Sequence, residues 1–152
     1  MELERSRIYT FLDESKRFSI NFFDGQKFIH DVLTIQKMPS QATQFLKDSL
    51  LSYPTLLSFT KPGEEFGLYL DSAEPYFLFK LESFQLKART LLLPENLSTY
   101  PEKIKGICRL QKFLPNNVNP YTSLIEIDNE SPSEVYTKIL TQSYQVDAAL
   151  VI

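Results

Sequence analysis

Cys108 and His30 are the only cysteine and the only histidine in the chain, and they limit its chemistry. A Cys–His nucleophile pair needs thiol and imidazole within hydrogen-bond reach, and a structural zinc site needs a cluster of such ligands. With one of each, no metal ligand set can be assembled and no cofactor is implied. The four glycines form neither a G-x-x-x-x-G-K-[ST] phosphate cradle nor a G-x-G-x-x-G fingerprint. Paired carboxylates remain, at Glu64–Glu65 and at Asp128 with Glu130. They could do acid–base work only if folding brought them into one pocket with their pKa values pushed apart. Both pairs adjoin Gly or Pro turns and read as solvated turn residues. Ser131 reads as a helix cap rather than a nucleophile. Cys108, between Ile107 and Arg109 on a strand pattern, reads as a small buried apolar side chain, and His30 as a surface residue. No catalytic residue is assigned, and an enzyme is not expected.

The remaining composition favours binding. Twelve Phe and eight Tyr supply large apolar area in 152 residues. A net charge of −3 with scattered lysines and arginines gives no basic face for a phosphate backbone, so no nucleic-acid partner is expected. The N-terminal MELERSR lacks the apolar run of a signal peptide. Stretches such as Leu91 to Leu93 are far too short to cross a bilayer. A cytoplasmic protein of one domain, residues 1–152, with no membrane association and no intrachain disulfide, is the expectation.

The elements that must position these residues follow from periodicity. Ile8 to Leu12 and the alternating Phe18, Ile20 and Phe22 read as two strands, the second half-buried. Asp24 is placed to cap a helix carrying Phe28, Ile29, Val32 and Leu33 on one stripe. Lys37-Met38-Pro39 interrupts it, and Ser40 opens a second helix with Ala42, Phe45, Leu46, Ser49, Leu50 and Tyr53 along its inner face. The apolar period continues past Pro54 through Leu56 and Leu57, so this helix is expected to kink rather than stop, and to end at Lys61-Pro62-Gly63. From Phe66 to Leu93 the period changes to two. Phe66, Leu68 and Leu70, then Phe77, Phe79 and Leu81, then Leu86, Ala88, Thr90 and Leu92, describe a three-stranded meander. Ile104 to Phe113 and Ser123 to Ile127 are further strands, separated by the loop Pro115 to Pro120. In the latter strand Leu124 points away from Ile125 and Ile127. Ser131-Pro132-Ser133-Glu134 is a capping box with proline at the first helical position. Val135, Ile139 and Leu140 are the inward residues of that helix, and Ala148 to Ile152 reads as a buried closing strand.

In this order the elements resemble the N-terminal, substrate-binding domain of heat-shock protein 33, the redox-regulated holdase chaperone of bacteria. The resemblance runs from Arg7 to Ile152. It rests on Met38-Pro39-Ser40-Gln41-Ala42 between the two early helices, and on Asp71-Ser72-Ala73-Glu74-Pro75 where the family has a Q-G-D-G-P turn. Pro120-Tyr121, with Ser123 in a family glycine position, and Ser143-Tyr144-Gln145 before the final strand complete it. One cysteine cannot form the family's four-cysteine zinc module.

Helices grouped early and strands grouped in the middle predict an α+β domain: a mostly antiparallel sheet with the helices packed on one face. The strand Tyr76 to Leu81 and the run Leu91 to Leu93 carry apolar residues on both faces, so part of the sheet is expected to be exposed. The resemblance implies a stress-response chaperone that holds unfolded client proteins on that apolar surface, here without a cysteine–zinc switch. Tyr76, Phe77, Phe79, Leu91 and Leu93 are the expected client-binding residues. The alternative is a non-catalytic assembly or regulatory module with one folded protein partner. A homodimer is expected from the two-faced strands and a free edge at Ala148 to Ile152.

Overall fold

A computed structural model describes residues 3–36, 40–84, 87–94, 100–115 and 118–152. Strands β1 (Arg7–Leu12) and β2 (Ser19–Asp24) form a separate antiparallel hairpin. Helices α1 (Gln26–Ile35) and α2 (Ser40–Leu57) follow. Strands β3 (Glu65–Ala73), β4 (Tyr76–Phe84), β5 (Lys87–Leu93), β6 (Ile104–Phe113) and β7 (Tyr121–Glu130) lead into helix α3 (Pro132–Gln142). The five later strands make one antiparallel sheet in the order β5-β4-β3-β6-β7. The fold is therefore the expected α+β arrangement.

Alternation assigns the inner face. Leu68 stands opposite Leu81 and Leu110, and Leu70 opposite Phe79 and Cys108, which in turn faces Ile125. All of these are buried. Helix α2 lays Ala42, Phe45, Leu46, Leu50, Tyr53 and Leu56 into the same core. The Phe45 ring meets Phe77, Phe79 and Tyr100 at centroid distances of 5.2, 5.4 and 5.5 Å, the first two edge-on. Pro54 lies inside α2, which continues to Leu57 as the apolar period requires. The Ser40 and Gln41 side chains, the Met38-Pro39 step and Leu86 lie outside the described residues.

Helix α1 is capped differently from expectation. Its N-cap is Gly25, and Asp24 reaches only the Gln26 N–H at 3.4 Å, while Ser6 Oγ accepts from the Phe28 N–H at 2.9 Å. A Cβ on Gly25 would lie 2.4 Å from the Phe23 ring, so close packing selects glycine there. The far end of α1 is tied to β5, with Gln36 Nε2 donating to the Thr90 carbonyl at 2.8 Å.

Helix α3 starts as its sequence predicts. Ser131 Oγ accepts from the Glu134 N–H, and the Glu134 carboxylate accepts from the Ser131 N–H at 2.6 Å. Lys103 Nζ donates to the same carboxylate at 2.6 Å. The helix buries Val135, Tyr136, Ile139 and Leu140 against α2, β6 and β7.

Two expectations are corrected. Ala148 to Ile152 is not a strand: the chain leaves α3 through a left-handed turn at Gln145 (φ 55°) and runs back along the helix. There Leu150 N–H donates to Thr137 Oγ1 at 3.2 Å, Ala148 and Leu150 are partly buried, and Val151 is exposed. Placed beside a helix, the segment has no strand to pair with, and α3 supports the sheet instead of a closing strand. The β2 strand is not half-buried through Phe18, Ile20 and Phe22 either, because all three are exposed. Among the described residues its one sheet partner is β1, and the side chain turned toward α1 is Phe23, whose ring lies 6.0 Å from Phe28.

Gly106 faces Ser72 where β6 crosses β3, and a Cβ there would lie 2.0 Å from the Asp71 carbonyl oxygen. Gly106→Ala is expected to cost about 2 kcal/mol or more of stability through this backbone clash, measured by urea unfolding. Glu134 supplies a pH test. Its hydrogen bonds from Lys103 and Ser131 pull its carboxyl from 4.5 to about 2. The folded value lies below the unfolded one, so this stabilisation is complete above about pH 4.5 and is lost as pH falls toward 2. Glu134→Gln is expected to flatten the acid limb of the stability curve across that window.

Candidate functional site

All three helices lie against the inner face of the sheet or against one another, and no described helix covers its outer face. The register lines up the outward side chains in rows across the strands. One row reads Leu93, Leu78, Asp71, Ile107 and Glu126; the next reads Leu91, Lys80, Tyr69, Arg109 and Leu124. Tyr76, Leu91, Leu93, Ile107 and Leu124 are between 40 and 69% exposed, in two groups, on β4–β5 and on β6–β7, with Tyr69 and Asp71 of β3 between them. Exposed apolar side chains scattered singly are ordinary, whereas a contiguous set on one sheet face marks a binding surface.

Strand alternation divides the expected client-binding residues. Tyr76, Leu91 and Leu93 lie on the outer face. Phe77 and Phe79 point inward, essentially without exposure, against Phe45. As exposed surface these two are corrected: neighbours on one strand point to opposite sides, and α2 covers theirs. Ile107 and Leu124 join the patch without having been singled out. Their signal was parity, since each flanks an inward residue, Cys108 and Ile125 respectively.

The centre of the face is polar and ordered. Tyr69 stands between Lys80, whose Nζ is 5.2 Å from the ring centroid, and Arg109, whose Cζ is 4.8 Å away. The Tyr69 hydroxyl donates to Glu82 at 3.2 Å, and Glu82 also pairs with Lys80 at 2.6 Å and with Arg89. Burial alone would push the Glu82 carboxyl up, but the bonds from Lys80 and Arg89 outweigh it and hold it below its ordinary value.

The residues with chemical potential are kept apart. Cys108 is buried on the inner face, and burial pushes its thiol up to about 12. His30 is exposed on α1. Glu64 accepts from the Lys61 N–H at 2.9 Å, while Asp128 and Glu130 engage different lysines, Lys105 at 3.7 Å and Lys138 at 2.6 Å. Glu64 and Glu65 border one open surface pocket with Lys61, Pro62 and Gly63, where neither His30 nor Cys108 is present, while Asp128 and Glu130 are held by separate lysines. Among the described residues no three His, Cys, Asp or Glu form a metal-binding group, and no helix is long and apolar enough to cross a membrane.

Ser72, near the end of β3, and Ser123, near the start of β7, stand where the resemblance leads one to expect glycine. The buried Ser72 donates to the Pro75 carbonyl at 3.0 Å, holding the β3–β4 turn, and Ser123 Oγ lies 2.7 Å from Ser143 Oγ, joining β7 to the end of α3.

The domain is α+β, with its helical layer on one side of the sheet and exposed apolar groups flanking a polar centre on the other. Residues 6–152 match the family model described as Hsp33 protein, and the chain belongs to this chaperone family. A solved structure of the 33 kDa chaperonin (heat shock protein 33 homolog) of Thermotoga maritima shares the fold, with a TM-score of 0.71 at 12% identity. That match covers 91% of this chain and 51% of the Thermotoga chain, so this chain spans about half its length. No curated protein matches the sequence.

The position of Cys108 yields a direct test. With its thiol pushed up to about 12 and enclosed by the core, alkylation of the native protein at mildly alkaline pH is expected to be about a hundredfold slower than after unfolding in urea. Mass spectrometry of the labelled chain over time measures the ratio.

Proposed function

We propose that the chain is a cytoplasmic holdase that binds unfolded client segments on the outer face of the five-stranded sheet. The observation that carries this reading is the uncovered patch of Tyr76, Leu91, Leu93, Ile107 and Leu124. Family membership adds to it. A holdase needs broad apolar contact rather than a deep specific pocket, and a flat sheet face offers alternating side chains to an extended segment. Holding is independent of oxidant in this reading, since the lone thiol sits in the core.

Light scattering of a thermally unfolded client tests it, with and without peroxide. Suppression of aggregation is expected under both conditions, and Leu93→Glu with Ile107→Glu is expected to weaken it several-fold while circular dichroism stays unchanged. No suppression by the parent chain in either condition rejects the reading.

A second reading, assembly with one folded partner, is favoured by the β1–β2 hairpin. Tyr9, Phe11, Ile20 and Phe22 share one of its faces and are exposed, with the Tyr9 and Phe22 rings 6.2 Å apart. A two-stranded ribbon is marginal alone, so a second copy of this chain is the partner this reading takes. The outer side of β4 and β5 is uncovered at Tyr76, Leu91 and Leu93, as the two-faced strands led us to expect, whereas Ala148 to Ile152 forms no strand and offers no edge to a second copy. Sedimentation is expected to show a dimer that Phe11→Ser with Phe22→Ser dissociates; a monomer at high micromolar concentration overturns it.

A further inference from the structure

Resting on the client-holding reading, we propose that the outer face selects apolar segments that carry one acidic residue, and that Arg109 is the seat of its carboxylate. The cations of this face differ in how they are held. Lys80 and Arg89 share Glu82, and Lys105 pairs with Asp128 at 3.7 Å. Arg109 stands over the Tyr69 ring and, among the described residues, forms no ion pair. The ring holds the guanidinium in place at little further entropic cost and leaves its N–H fork available to a carboxylate.

Its surroundings define what accompanies that carboxylate. Leu124 is directly across from Arg109 on β7, Ile107 is two positions along β6, and both are exposed. Leu91 and Leu93 lie at the opposite edge of the same rows. Lys87, at the far end of β5, is the other cation of this face without an ion pair among the described residues. A segment crossing the middle strands nevertheless meets apolar side chains on both sides of Arg109 alone. Asp71 and Glu126 occupy the diagonal positions around Arg109, so a second carboxylate in the segment would meet like charge. The chain carries a net charge of −3, so a preference for an acidic peptide would run against its overall field and must be local.

The absence of tryptophan from the chain provides the readout. Two peptides, identical apolar sequences with one tryptophan and either Glu or Gln at the centre, are titrated with the protein and followed by tryptophan fluorescence. The Glu peptide is expected to bind about fivefold more tightly at low salt, and the preference to shrink as salt is raised. Arg109→Gln is expected to bring the two peptides to equal affinity, while Arg109→Lys keeps part of the difference. A preference unchanged in Arg109→Gln, or no preference in the parent chain, overturns the assignment and leaves client holding intact. Failure of both peptides to bind overturns it together with the reading on which it rests.

Discussion

The packing of α2 on the inner face of the sheet is the contact on which the remaining structure depends. Phe45 reaches Phe77, Phe79 and Tyr100 at once, and Leu46, Leu50 and Leu56 extend the same layer. Burying a side chain of this size stabilises by about 1.5–3 kcal/mol, several times the roughly 0.5–1 kcal/mol of an exposed cation–π contact such as Arg109 on Tyr69. Apolar burial therefore decides which face of the sheet is inside. The polar contacts of the outer face only arrange what that choice leaves exposed.

The same asymmetry explains why chemistry and apolar surface occur on opposite sides of one strand. On β6, Cys108 faces the core while Ile107 and Arg109 face out. The core deprives the thiol of solvent and suppresses its ionisation. The outer face leaves a cation and an aromatic ring accessible but gives no acid–base pair an enclosed site.

Much of this was legible in the sequence where a local rule acts alone. The capping box at Ser131 and Glu134, the continuation of α2 through Pro54 and the span of β6 all follow from short-range sterics and periodicity. The site was legible as strands with apolar residues on both faces. Which face would be covered was not, because that depends on where α2 docks, a contact between residues distant in the chain. Hence Phe77 and Phe79 were grouped with Tyr76 although alternation separates them. The hairpin and the last residues fail for a related reason. Both have strand-like composition, but β2 pairs only with β1, and the left-handed turn at Gln145 directs the terminal segment along α3.

The serines at 72 and 123 indicate how this fold tolerates sequence change. At 12% identity the Thermotoga structure shares the architecture, so few particular side chains are required for it. What must persist is inward parity along the strands and a satisfied backbone at the turns. Ser72 meets the second need with a hydroxyl bond to Pro75, and it stands opposite Gly106 across the β3–β6 pair. The position that admits no Cβ is Gly106, because the Asp71 carbonyl, unlike a flexible side chain, cannot move away without disturbing β3. The sheet's inner register is therefore more tightly held by contacts than its outer face, against which no described helix packs.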